Sequence, residues 1–336
     1  MNVTETSSSS DDEEHESEYE EEETYSDIYN EYSLTTEEEI LAALAENEKL
    51  RDARWLEEAE ALAKLNTFSE EYENPEKSGV YRYLVEGELF YFDPFIIPND
   101  ASILFLGRRR TGKSFALRWI LYTKRKVFPF GVIMTKTKFN GYWTKHVPDE
   151  SVIGHFSKEV LQNLQDRQEA LWKSNPRGED PRVFVLLDDL AADTDLRHDQ
   201  DLRTFFYNGR HLKAFTLVTS QWWTALNPGC RDNVDFIFIF GMSNRKEIES
   251  IWEEHGGGIP KKIFTFLVSR YSTESSCLVI NVQGGTPLER FFQYRAQDPG
   301  KFRMGCNSFW KVTREMAEHD KKKMAKYSEP EFVQSF

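Results

Sequence analysis

Eight residues constrain this 336-residue chain more than any others: Gly107-Arg108-Arg109-Arg110-Thr111-Gly112-Lys113-Ser114, a complete G-x-x-x-x-G-K-S pattern. An apolar run, Ile103-Leu104-Phe105-Leu106, leads into it, and Ala116, Leu117, Ile120 and Leu121 follow at helical spacing. A strand that turns through glycines into a helix gathers backbone N–H groups around an anion, and the helix N-terminus adds positive potential. Gly107 and Gly112 allow the turn, while Arg108, Arg109, Arg110 and Thr111 complete the loop. Lys113 can reach the β- and γ-phosphates and the Ser114 hydroxyl can ligate magnesium, so the pattern predicts ATP and Mg2+ as ligands.

From Ala101 onward, short apolar strands alternate with helical segments, the pattern of an α/β domain with a mainly parallel sheet. Strands are expected at Ser102–Leu106, Gly131–Thr135, Val183–Leu187, Phe215–Ser220, Phe236–Phe240 and Cys277–Val282. Helices are expected at Lys113–Thr123, Lys158–Lys173, Arg197–Tyr207, Arg245–Glu254 and Pro260–Val268. Ahead of this block, Tyr81–Tyr83 and Glu88–Phe92 read as short strands around Gly87.

Val183–Leu187 ends in Asp188-Asp189. Carboxylates at the carboxyl edge of a parallel sheet face the same crevice as the phosphate loop. Asp188 is expected to hold magnesium through water, and Asp189 to orient or deprotonate the attacking water. The strand-like segment between Lys113 and Asp188 and the second acid point to the ATPase branch that uses a catalytic carboxylate (ASCE) rather than to small kinases or GTPases. Phe215–Ser220 ends in Gln221, which either senses the γ-phosphate and the attacking water or is an ordinary strand-end amide. Arg210 and Arg231 flank that strand, and each is a candidate to reach a neighbouring subunit's γ-phosphate or to form a surface ion pair.

The formal net charge of −15 is unevenly distributed: up to Glu48 there are 18 acidic residues and no Lys or Arg, which leaves 39 acidic against 42 basic residues from Lys49 on. Residues 1–33 read as a disordered acidic tail. Thr36-Glu37-Glu38-Glu39 then opens a helix to about Leu65, and a polar linker runs to Ser78. The expected domains are this tail, helix and linker over 34–78, an ATPase domain over 79–312, and a charged C-terminal helix or tail over 313–336. Between Ala101 and Pro148 there is no acid but eleven Lys and Arg, a footprint suited either to DNA or to a solvated basic face. Cys230, Cys277 and Cys306 are far apart and form no C-x-x-C pair, which fits a reducing compartment. No apolar run approaches the ~20 residues of a membrane span, and no signal-peptide pattern opens the chain.

The phosphate loop, Thr137-Lys138-Phe139-Asn140-Gly141-Tyr142-Trp143, Leu187-Asp188-Asp189-Leu190, Asn208-Gly209-Arg210-His211, Thr219-Ser220-Gln221 and Arg231-Asp232-Asn233-Val234-Asp235 together carry a resemblance. Over roughly residues 95–310 the chain resembles the FtsK/HerA superfamily of DNA-pumping ATPases, and within it the poxvirus-type genome-packaging ATPases of nucleocytoplasmic large DNA viruses. The resemblance implies a RecA-like P-loop sheet and a homo-oligomeric ring that draws double-stranded DNA through its centre. It also implies a capsid or portal partner, and a place in the virion or in a viral factory of the host cytoplasm. By the same likeness Gln221 is the sensor and Arg210 the arginine supplied in trans. Two positions depart from the pattern: three arginines fill the loop where small residues are usual, and Asp189 stands where many relatives have Glu. The competing readings are a conjugation- or secretion-type ATPase, a helicase, and a nucleotide-gated scaffold without turnover.

Overall fold

The computed structural model describes residues 79–174, 182–190, 199–273 and 276–327. The acidic tail, the helix expected to Leu65 and the linker lie outside them. In chain order the elements are α1 (Gly79–Glu86), β1 (Ser102–Gly107), α2 (Lys113–Thr123), β2 (Phe130–Thr135), β3 (Val152–Ile153), α3 (Lys158–Ser174), β4 (Val183–Asp188), α4 (Gln200–Leu212) and β5 (Ala214–Ser220). There follow α5 (Pro228–Asp232), β6 (Phe236–Phe240), α6 (Arg245–His255), α7 (Lys261–Tyr271), β7 (Ser276–Asn281), α8 (Pro287–Arg290), β8 (Phe291–Arg295) and α9 (Asn307–Tyr327).

Eight strands form one sheet in the order β3-β2-β4-β5-β1-β6-β7-β8. The first six run parallel, and β7 and β8 continue the sheet antiparallel. This is the expected α/β architecture with a mainly parallel central sheet. The apolar runs are continuous because β1, β4, β5 and β6 are buried along their whole length. Ala116, Leu117, Ile120 and Leu121 of α2 pack in one core cluster with Ile103, Phe105, Phe215 and Leu217. Ring stacking tightens that layer: Phe105 lies 4.8 Å from Phe238, and Phe128 lies 5.3 Å from Phe215. The order has one consequence for function. β5 is inserted between β1 and β4, so the end of β5 stands between the phosphate loop and the acidic pair.

The expected strand Tyr81–Tyr83 is instead part of the helix α1. Val80, Tyr83 and Leu84 recur at i, i+3 and i+4, and this periodicity overrides the β-propensity of Val and Tyr. Glu88–Phe92 forms no strand either. It lies along β8 through a single parallel bridge, Tyr91 to Gln293, and Phe92 is buried among Phe236, Phe238, Phe292 and Tyr294. The helix expected at Arg197–Tyr207 begins at Gln200, where Asp199 caps it through Leu202 N at 2.7 Å, and runs on to Leu212. Arg210 therefore sits on the last turn of α4. The expected strand Cys277–Val282 occurs as β7, antiparallel to β6. Among the described residues no helix is long and apolar enough to cross a membrane.

Candidate functional site

β1 delivers the chain into the phosphate loop at Gly107, whose φ is +147° and where a Cβ would stand 2.1 Å from the Phe240 carbonyl oxygen. No residue with a side chain fits there. At the other end Gly112 caps α2 with φ +99°, and no side chain bonds the first turn. That turn also carries no acid, so its N–H groups face a site of anion-binding character. Lys113 Nζ donates to the carbonyls of Gly107 at 2.6 Å and Arg108 at 2.8 Å, which folds the ammonium over the loop it is expected to serve. Burial pushes its pKa down, Asp189 and Asp188 partly offset this, and Arg109 adds to the lowering. Thr111 Oγ1 donates to Arg108 O at 2.8 Å, and Arg108 Nε donates to Gly241 O at 3.0 Å. Arg108 thus braces the turn after β6, while Arg109 and Arg110 are exposed and Arg110 takes a left-handed φ of +62°.

The acidic pair occupies the end of β4. Asp188 is buried, with Oδ2 accepting from Trp143 Nε1 at 2.8 Å and Oδ1 accepting from Thr219 Oγ1 at 2.9 Å. Burial raises its pKa and Asp189 raises it further, against the pull of the two hydrogen bonds and of Lys113. Asp189 takes a left-handed φ of +54°, a conformation that Asp tolerates better than most residues. Gln221 Nε2 donates to its Oδ1 at 2.9 Å. Asp189 N in turn donates to Thr219 Oγ1 at 2.7 Å. One buried hydroxyl therefore bonds both acidic residues.

The structure brings Asp188, Asp189, Gln221 and the loop with Lys113 and Ser114 to one edge of the sheet. Arg210 lies at the opposite edge. Its side chain is 72% exposed, with Nη2 3.5 Å from Asp235 Oδ1, and Asp235 Oδ2 accepts from Ser102 N at the amino end of β1. Arg231, the other candidate, is occupied: it is buried, holds Glu254 through Nε at 3.0 Å and Nη2 at 2.7 Å, and lies over the Trp223 ring. The basic stretch divides as well. Lys124 is buried on Ile97 O, Arg118 pairs with Asp298 at 3.0 Å, and Lys138 pairs with Asp149 at 3.4 Å, whereas Arg109, Arg110 and Lys145 face solvent.

No protein-family profile matches the chain. It is 26% identical over 224 residues to uncharacterized protein 075L of Invertebrate iridescent virus 6, a match covering 65% of this chain and 86% of that protein. It is 24% identical to uncharacterized protein L437 of Acanthamoeba polyphaga mimivirus, over 66% of this chain and 81% of that one. Among solved structures, the genome packaging NTPase B204 of Sulfolobus turreted icosahedral virus 2 with AMPPCP aligns with a TM-score of 0.44 at 13% identity, over 60% of this chain and all of that one (100%). The pCW3 conjugation coupling protein TcpA with ATPgS aligns with a TM-score of 0.43 at 15% identity, over 67% of this chain and 66% of that one.

The donor set suits magnesium shared with a nucleotide. Ser114 and Asp188 offer a hydroxyl and a carboxylate, both hard oxygen ligands, and among the described residues no group of three His, Cys, Asp or Glu forms a self-contained metal site. Two members of the site, Thr219 and Trp143, lie in segments that carry the resemblance but have no role assigned from the sequence. The register decides Thr219: it lies one step beyond the paired Leu187 and Val218 and so falls beside Asp188. Trp143 is 45 residues from Asp188, and no local pattern ties the two together.

Proposed function

We propose that this chain is an Mg2+-dependent ATPase of the FtsK/HerA type that moves double-stranded DNA, packaging a viral genome, and works as a homo-oligomeric ring. The observation that carries this reading is the Asp189–Gln221 pair, held at 2.9 Å on the end of the strand inserted between the phosphate loop and the acidic pair. A carboxylate oriented in this way suits activation of a water that attacks the γ-phosphate, which mere nucleotide binding does not require. Lys113 and the α2 N-terminus bind the triphosphate, and Ser114 and Asp188 are the residues that would hold the metal. Bound magnesium would neutralise charge on the β- and γ-phosphates. Asp189 accepts the proton of the attacking water at its carboxylate, and Gln221 fixes the direction of that carboxylate.

Arg210 serves a neighbouring subunit. It sits by Ser102, and Ser102 is five residue steps along β1 from Gly107, about 17 Å at ~3.3 Å per residue. That is beyond the reach of an arginine side chain, so its own site is excluded, while its exposure suits a partner across a ring interface. The ion pair of Arg231 with Glu254 leaves that residue no such freedom. Exposed Arg109, Arg110 and Lys145, in a segment without acids, support a polyanion partner, and the iridescent virus and mimivirus relatives support a viral setting.

The test is phosphate release with and without double-stranded DNA at fixed salt. Hydrolysis that DNA accelerates supports the motor. Hydrolysis indifferent to DNA removes translocation from the reading, and no hydrolysis at all removes the ATPase.

A further inference from the structure

The segment that follows β2 places two aromatic residues between the two oxygen ligands just named. Tyr142 donates its hydroxyl to the Ser114 carbonyl oxygen at 3.3 Å, and the Trp143 indole N–H donates to Asp188 Oδ2 at 2.8 Å. The two rings are perpendicular, at 90°, with centroids 5.0 Å apart. Trp143 is buried and belongs to the core cluster, so its ring cannot swing away, and Tyr142 packs against that cluster from the edge. Arg118 lies over the Tyr142 face at 5.9 Å and is itself tied to Asp298, which closes the outer side.

A carboxylate has about four lone-pair positions, and the two protein donors on Asp188 leave others for a metal-bound water. What those donors fix is the rotamer. Thr219 holds one oxygen from the strand side and Trp143 holds the other from the loop side. Resting on the reading of Ser114 and Asp188 as metal ligands, we infer that Tyr142 and Trp143 are positioning residues, an aromatic clamp that sets the distance between the phosphate-loop ligand and the β4 ligand. Groups that orient a metal ligand typically contribute about 10–100-fold to metal affinity.

The measurement is a Mn2+ titration, followed by electron paramagnetic resonance, of the full chain loaded with a non-hydrolysable ATP analogue. Nucleotide affinity in EDTA is read alongside it. Trp143→Phe keeps an aromatic ring in the core and removes the donor, and it is expected to weaken Mn2+ binding about tenfold while nucleotide affinity in EDTA is unchanged. Tyr142→Phe is expected to shift Mn2+ binding in the same direction by less, and it decides the matter if Trp143→Phe does not fold. Asp188→Asn separates the two levels. If Asp188→Asn loses Mn2+ and the aromatic variants do not, the clamp is overturned and the site reading stands. If Asp188→Asn binds Mn2+ normally, the reading of Asp188 as a ligand fails and the clamp fails with it. Equal losses with and without metal in the aromatic variants mean that they only support the fold, which also overturns the clamp.

Discussion

Thr219→Val removes the one hydroxyl that bonds both acidic residues while keeping the shape of the side chain. Thr219 is only 2% exposed, so water cannot replace what is lost. Two bonds go: the donation to Asp188 Oδ1 at 2.9 Å, and the acceptance from Asp189 N at 2.7 Å. A hydrogen bond to a charged group contributes about 1.5–3 kcal/mol, and an orphaned buried amide costs about 1–3 kcal/mol. Together they put the loss of stability at about 3–5 kcal/mol, a large share of what a domain of this kind has. The assay is guanidinium unfolding followed by tryptophan fluorescence, with Thr219→Ser as the control. Serine retains the hydroxyl and loses one methyl group, which costs about 1 kcal/mol. Turnover should fall with Thr219→Val and largely persist with Thr219→Ser, because the acids lose their orientation only in the first. A Thr219→Val protein within about 1 kcal/mol of the wild type would refute the hub.

Lys113→Ala should abolish tight ATP binding, since Lys113 is the loop cation folded over Gly107 and Arg108, and titration with a fluorescent nucleotide checks it. Asp189→Asn should retain nucleotide binding and lower turnover by about 10² or more, because Asn tolerates the left-handed φ and can still accept from Gln221 but cannot take a proton. Mixed with an Arg210→Ala protein that is equally inactive alone, it should regain part of the activity, whereas mixed rings that stay dead would exclude Arg210 in trans. Arg231→Met should destabilise by about 2–3 kcal/mol, less than the ~3–5 of a fully buried pair because Glu254 is 25% exposed, and leave turnover per folded molecule intact. His146 and His255 are held neutral by burial, their pKa values below the usual ~6.5, so the unfolded chain takes up protons that the folded one refuses. Melting temperature should therefore fall as pH drops below about 6.5, and the slope should flatten in a His146→Gln, His255→Gln double variant.

The phosphate loop, α2 and five of the six parallel strands were legible in the sequence because each depends on neighbours close along the chain, whereas the two-residue β3 (Val152–Ile153) is too short to leave a pattern. Gly107 and Gly112 are demanded by local φ, the apolar runs by burial on both faces, and the stripe of α2 by its period of 3.6 residues. The placement of Asp188 and Asp189 followed from a general property of parallel sheets, that their carboxyl ends share an edge. Tyr81–Tyr83 and Glu88–Phe92 misled because Val, Tyr and Phe favour strands in isolation. In the first the helical spacing of Val80, Tyr83 and Leu84 prevailed, and in the second contacts about two hundred residues away in α7 and β8 decided: Tyr271 Oη accepts from Leu89 N, and Gln293 pairs with Tyr91. The same distance in sequence explains what else stayed hidden. Whether Arg210 or Arg231 was free depended on Asp235 and Glu254, and which groups hold Asp188 depended on Thr219 and on an indole 45 residues away. Residue types and short-range geometry set what chemistry the chain carries. Strand order, by inserting β5 between β1 and β4, brought Thr219 and Gln221 to the acidic pair, and the segment after β2 brought Trp143.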